Sequence, residues 1–175
     1  MNLSLASIQT AKDDDELFDR LSAALKELFP PELQEDPDRF LAALSSAPRG
    51  LRAMAGTFEL DVSMSLDDLA WHFGNHNDER LLQETVLGLK ELEAAEAAEV
   101  FQSAWEIAKP FLPEIRIKDW AAEDPHDYFE RTIQSKIDPL NERMWDICKK
   151  CGKLGLLQYW LVYARKYPER CVNSP

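Results

Sequence analysis

Residues 94–108 read Ala-Ala-Glu-Ala-Ala-Glu-Val-Phe-Gln-Ser-Ala-Trp-Glu-Ile-Ala, and their spacing decides the fold class. Ala94, Ala97, Ala98, Phe101, Ala104, Trp105 and Ala108 recur at three- and four-residue intervals, the period of one face of an α-helix. The small side chains let a neighbouring helix approach closely, while Phe101 and Trp105 fill the wider gap. A helix with this face is expected at the centre of the molecule.

The same period continues in both directions. Upstream, Leu17, Phe18, Leu21, Leu25, Leu28 and Phe29 form a stripe that opens on Asp13, Asp14 and Asp15 and is stopped by Pro30-Pro31. Asp36-Pro37 reads as a cap followed by a first-turn proline, leading into Phe40, Leu41 and Leu44. Leu51, Met54, Ala55, Phe58 and Val62 make the next inward face. Ser65 with Asp68 resembles a capping box for a short helix carrying Leu66, Leu69, Ala70 and Phe73, which Gly74-Asn75 is expected to end. Leu81, Leu82, Thr85, Val86 and Leu89 complete the approach to residue 94.

Downstream, Pro110 and Pro113 mark a connector, and the alternation of Ile115 and Ile117 predicts a short extended segment near 114–118. Asp124-Pro125 repeats the cap-then-proline signal before Tyr128, Phe129, Ile133 and Ile137, and Pro139 is expected to interrupt. Leu140, Met144, Ile147, Cys148 and Cys151 then run to Gly152. Leu156, Leu157, Trp160, Leu161, Ala164 and Tyr167 form a last stripe closed by Pro168. The reading is an all-α bundle of about seven to nine helices in one domain. Within it, 1–12 is expected without order, 13–47 as a helical pair and 48–171 as the core.

Composition bounds the function. The 175 residues carry 32 acidic against 20 basic groups, a net charge of −12, with 45 % hydrophobic content. That is too apolar for a disordered acidic tail. No apolar run reaches the roughly 18–20 residues of a membrane span, no secretory leader is visible, and three cysteines give no disulfide framework. A cytoplasmic protein is expected. Residues 1–47 hold 4 basic and 10 acidic groups (−6), 48–108 hold 4 and 12 (−8), and 109–175 hold 12 and 10 (+2). Lys149, Lys150, Lys153, Arg165, Lys166 and Arg170 therefore predict a molecule with a basic C-terminal end. The acidic excess disfavours direct nucleic-acid binding, which relies on Lys and Arg displacing counterions, and favours a basic protein partner.

Within the central stripe Glu93, Glu96 and Glu99 stand three residues apart, a row of carboxylates about 5–6 Å from neighbour to neighbour at Cβ. The helix dipole accounts for acids in a first turn; a partner-binding row is the functional reading. Two patterns bear on an alternative, a metal-dependent or thiol enzyme. Cys148-Lys149-Lys150-Cys151 has the spacing of half a zinc site or a redox pair, with lysines that would lower a thiol pKa, yet both cysteines fall on an apolar stripe and are expected to pack. His72 and His76 have the four-residue spacing of two imidazoles sharing a metal, but Gly74-Asn75 is expected to throw His76 off that face. No metal site, no cofactor and no catalytic group is expected. A phosphate loop and a nucleophile elbow are absent from the sequence.

Residues 51–171 resemble a family of mostly bacterial helical proteins whose best-known member is an acidic DNA mimic. Leu69-Ala70-Trp71-His72-Phe73-Gly74-Asn75 is similar to the family's Phe-Phe-x-Asn element. Gly88-Leu89-Lys90-Glu91-Leu92 through Ala97-Ala98-Glu99-Val100-Phe101 is similar to its helix pair, and Tyr163 to Tyr167-Pro168-Glu169 to its closing tyrosine and Pro-Glu. Ser63-Met64-Ser65-Leu66 stands where the family has Asn-Gly-Gly-Phe. The resemblance implies an all-helical fold and, through DNA mimicry, a nucleic-acid-binding regulator as partner. An immunity or antitoxin-like protein that neutralises a basic toxin is the alternative within the same class.

Overall fold

Aspartates start four of the main helices. Asp13, Asp36, Asp68 and Asp78 each accept a hydrogen bond from a first-turn backbone N–H, satisfying donors that a helix otherwise leaves unpaired. The computed structural model describes residues 3–34, 36–118 and 125–173. Among these the α-helices run in the order α1 (Leu5–Gln9), α2 (Asp14–Leu28), α3 (Pro31–Gln34), α4 (Pro37–Ser46), α5 (Arg49–Leu66), α6 (Leu69–Asn75), α7 (Glu79–Glu91), α8 (Ala95–Ala108), α9 (Leu112–Ile117), α10 (Pro125–Phe129), α11 (Ser135–Lys150) and α12 (Gln158–Lys166). Eight of them have seven residues or more, and no strand occurs among the described residues, so the all-α architecture holds. None of the described helices is long and apolar enough to cross a membrane.

The alanine-rich helix is central, as its spacing predicts. Ala97, Val100, Phe101, Ala104 and Ala108 of α8 are fully buried among α6, α7 and α11. A second apolar cluster gathers Leu17 and Leu21 of α2 with Trp160 and Leu161 of α12. The long helix α5 belongs to both, through Leu60 and Met64 on one side and Leu51 and Met54 on the other. Its deepest contact is with α7: a Cβ at Gly88 would stand 2.7 Å from the Ala53 carbonyl oxygen, so only glycine permits this approach.

Several local expectations are corrected. Within 1–12, the described residues 3–12 include a helix: Ser4 and Ser7 form a reciprocal capping box for α1, and Ile8 is buried. On α5, Leu60 and Met64 face inward while Phe58 lies on the surface, one position off the expected stripe. Ser65 and Leu66 are the end of α5, and Asp68 caps α6 alone. Residues 112–117 form a helix, because Leu112 and Ile115 share a buried face three residues apart while Ile117 is exposed, which makes the alternation coincidental. Pro139 does not break α11. A π-helical turn, Glu130–Gln134, lies one turn upstream, and buried Ile137, Asn141, Met144 and Ile147 hold the helix against the proline's missing donor. Asp124 lies outside the described residues.

Candidate functional site

Helix α6 is only seven residues long, and its start is fixed from a distance. Asn141 of α11 accepts from the Leu69 N–H at 3.0 Å and donates to Asp68 Oδ2 at 3.1 Å. Gln134 Nε2 donates to the same oxygen at 2.7 Å. One turn on, this places His72 in the interior, edge-on to both Phe73 and Phe101. Ser63 Oγ donates to the Glu59 carbonyl at 2.8 Å, so it receives the His72 Nδ1–H at 3.0 Å, and the network assigns the tautomer. The other nitrogen, Nε2, is buried with no hydrogen-bond partner among the described residues. Burial drives the His72 pKa down to about 3, helped by the His76 charge and opposed by the Glu59 carbonyl, so the ring is neutral.

His76 does not leave this face. The helix continues through Gly74 and Asn75, His76 caps it, and the two imidazoles stand 5.0 Å apart between centroids. Asparagine stabilises that extra turn by donating from Nδ2 to the Trp71 carbonyl. His76 Nε2 lies 3.5 Å from Glu59 Oε2 of α5, a partner that no sequence spacing discloses. Desolvation lowers the His76 pKa and Glu59 opposes it. The groups line a cavity of about 40 Å³ walled by apolar side chains of α4, α5 and α7, among them Phe40, Leu44 and Leu82. Among the described residues no three His, Cys, Asp or Glu side chains are already arranged to hold a metal ion.

The thiols stand elsewhere and are quiet. Cys148 and Cys151 are half-buried at the C-terminal end of α11. Burial, the Asp61 charge and the neighbouring cysteine push the Cys148 thiol up to about 12, and burial also raises Cys151. The adjacent lysines do not lower either pKa, which corrects that expectation; a helix C-terminus also disfavours a thiolate.

The row Glu93, Glu96 and Glu99 is not a row. Glu93 precedes α8 and adopts a left-handed backbone, φ 60°. Its carboxylate accepts from Lys166 Nζ at 2.7 Å and from the Tyr167 hydroxyl at 2.7 Å, and these two partners hold its pKa down. Glu96 is exposed, and Glu99 is exposed with Arg143 of α11 3.6 Å away. The C-terminal cations fold back on the acidic half: Arg165 pairs with Asp14, Lys166 with Glu93 and Arg170 with Glu91. The basic end expected from the sequence is therefore half neutralised, while Lys149, Lys150 and Lys153 stay exposed. What remains is a stripe on α11, where Asp138, Glu142 and Asp146 recur every four residues and are all exposed. None of the three makes an ion pair among the described residues, and Asp138 accepts from Gln134 at 2.8 Å. The four-residue spacing was there to be read, but the expected break at Pro139 divided it. No family model matches the chain, and neither a curated protein nor a solved structure matches it.

Proposed function

We propose that the protein acts by binding a positively charged protein through its carboxylate surface and performs no reaction of its own. The observation that carries this reading is the exposed stripe Asp138, Glu142 and Asp146 on α11, beside Glu96 and Glu99 of the neighbouring α8. Each helical step of four residues advances about 6 Å, so the stripe presents three charges over about 12 Å on a rigid element. A rigid row loses little entropy on docking and raises the on-rate of a basic partner. Raised thiol pKa values at Cys148 and Cys151 weigh against a thiol enzyme. The resemblance of residues 51–171 to the family with a DNA-mimic member favours the basic face of a nucleic-acid-binding regulator as the partner.

The test is a low-salt capture from the native cell with the wild-type chain and with the triple variant Asp138→Asn, Glu142→Gln, Asp146→Asn, followed by calorimetry on the protein recovered. A basic partner whose affinity falls steeply with added salt, and falls again in the triple variant, supports the proposal. Affinity indifferent to salt, or equal for the two chains, overturns it.

A further inference from the structure

We infer that the cavity between α5, α6 and α7 is a binding site for one divalent transition-metal ion, clasped by the imidazoles of His72 and His76 with the Glu59 carboxylate in reach. This inference is independent of the docking surface on α11.

Four observations converge on it. His72 Nε2 is a buried acceptor without a partner among the described residues, on a ring that lines the cavity. Leaving such a nitrogen unsatisfied is costly, and a ligand accepting its lone pair recovers that cost. Its opposite nitrogen is anchored through Ser63 to the Glu59 carbonyl, the outer-sphere arrangement that fixes a ligating histidine in one tautomer and orientation.

The distances have the right scale. With metal–nitrogen bonds of about 2.0–2.1 Å, two imidazoles sharing one ion at adjacent coordination positions stand roughly 4.5–5 Å apart between centroids. The observed separation is 5.0 Å. In the same way, a nitrogen and an oxygen on one tetrahedral ion lie roughly 3.4 Å apart, whereas a charge-assisted hydrogen bond closes to about 2.7–2.9 Å. His76 Nε2 and Glu59 Oε2 are 3.5 Å apart, loose for an ion pair and close to a coordination edge.

The cavity of about 40 Å³ accommodates an ion with a bound water. Since no three His, Cys, Asp or Glu side chains among the described residues converge on one point as they stand, binding draws in His76, which is 31 % exposed at its helix end, while His72 stays fixed. Imidazole nitrogen selects ions of the zinc, copper and nickel class over Mg²⁺ or Ca²⁺.

The experiment titrates Zn²⁺ and Cu²⁺, in excess Mg²⁺ to mask surface carboxylates, into the full chain and four variants, with calorimetry and copper electron paramagnetic resonance. The variants are His76→Ala, Glu59→Gln, His126→Ala and the pair Cys148→Ser with Cys151→Ser. His72 is fully buried and its replacement risks the fold, so the half-exposed His76 carries the test. The expected result is one ion per chain, coupling to two imidazole nitrogens in the copper spectrum, and about tenfold or greater weakening in His76→Ala. Glu59→Gln weakens binding less, and the His126 and cysteine variants bind as wild type does. No binding of either ion, binding that His76→Ala leaves unchanged, or binding lost with the cysteines overturns the site.

Discussion

Acidifying the metal-free protein from about pH 6.5 to about pH 4.5 is expected to destabilise it chiefly through His72, with His76, whose pKa desolvation also lowers, adding a loss of the same sign. In the fold this imidazole has its pKa driven down to about 3, from an ordinary value of 6.5, because a charge there has no solvation. The unfolded chain protonates the ring below about 6.5 while the folded chain does not, so the unfolded state binds the extra proton and stability falls as pH falls. One proton of difference is worth about 1.4 kcal/mol per pH unit. Across the two units the loss is about 2.5 kcal/mol, a large share of the 5–15 kcal/mol that holds a typical domain. Other groups act in the same range. Asp61, whose pKa burial raises, contributes the opposite sign, and the lowered pKa values of Glu16 and Asp78 matter mainly below about pH 4.5. The His72→Asn variant, less stable at every pH because the ring's packing is lost, still isolates the slope wherever it folds, since its amide does not titrate. Urea midpoints followed by tryptophan fluorescence at each pH, with chelator present, give the two slopes. The wild type should lose about 2.5 kcal/mol more than the variant. Parallel slopes, or a His72 resonance titrating near 6.5 by NMR, would refute the reasoning.

Three further outcomes follow from particular contacts. Gly88→Ala sets a methyl 2.7 Å from the Ala53 carbonyl and 2.9 Å from Thr57 Cγ2, and should cost about 1–3 kcal/mol in chemical denaturation by forcing α5 and α7 apart. Asn141→Ala leaves the buried Leu69 N–H unpaired and removes one of the two side-chain donors to Asp68 Oδ2, and should cost on the order of 1–3 kcal/mol, read as a lower midpoint with the α6 amides exchanging fastest. Cys148, with its pKa pushed up to about 12, should react with a disulfide reagent at neutral pH at least about a hundredfold more slowly in the native chain than in urea; equal rates would show an accessible thiolate.

The helices were legible where burial and period coincide. α8 buries six alanine, phenylalanine or tryptophan residues on one side, and α2 is bracketed by an aspartate cap and a proline pair, so both could be read directly. Two of the misreadings share a cause: a residue taken as punctuation sits in a helix whose burial outweighs its local preference. Pro139 lies between Ile137 and Asn141, both buried, and the loss of one backbone bond is small against that packing. Gly74 and Asn75 stay helical because Asn75 bonds back to the Trp71 carbonyl, and that one extra turn decides whether His76 stands beside His72. Glu59, the third member of the cavity, comes from a different helix and leaves no trace in local spacing. Half of the candidate site was therefore visible as an i, i+4 histidine pair, and the other half depends on how α5 crosses α6.

Charge makes the same point more sharply, because it is additive along a chain but not in space. Counting by segment gives a strongly acidic first part and a slightly basic last part, as though the fold were a dipole. The fold cancels much of that separation by setting α12 and the residues after it against α2 and the α7–α8 turn, so Arg165, Lys166 and Arg170 meet Asp14, Glu93 and Glu91. Each exposed pair contributes little to stability. Their collective effect is to move the unbalanced carboxylates to where no cation folds back, which on α11 is the stripe Asp138, Glu142 and Asp146. The segment with a nearly neutral sequence thus presents the exposed acidic row, and the acid-rich segment supplies Glu93 and Glu91 as internal counter-ions. Counting acids along the chain points to the segment that holds Glu91 and Glu93, both already paired, and passes over Asp138, Glu142 and Asp146.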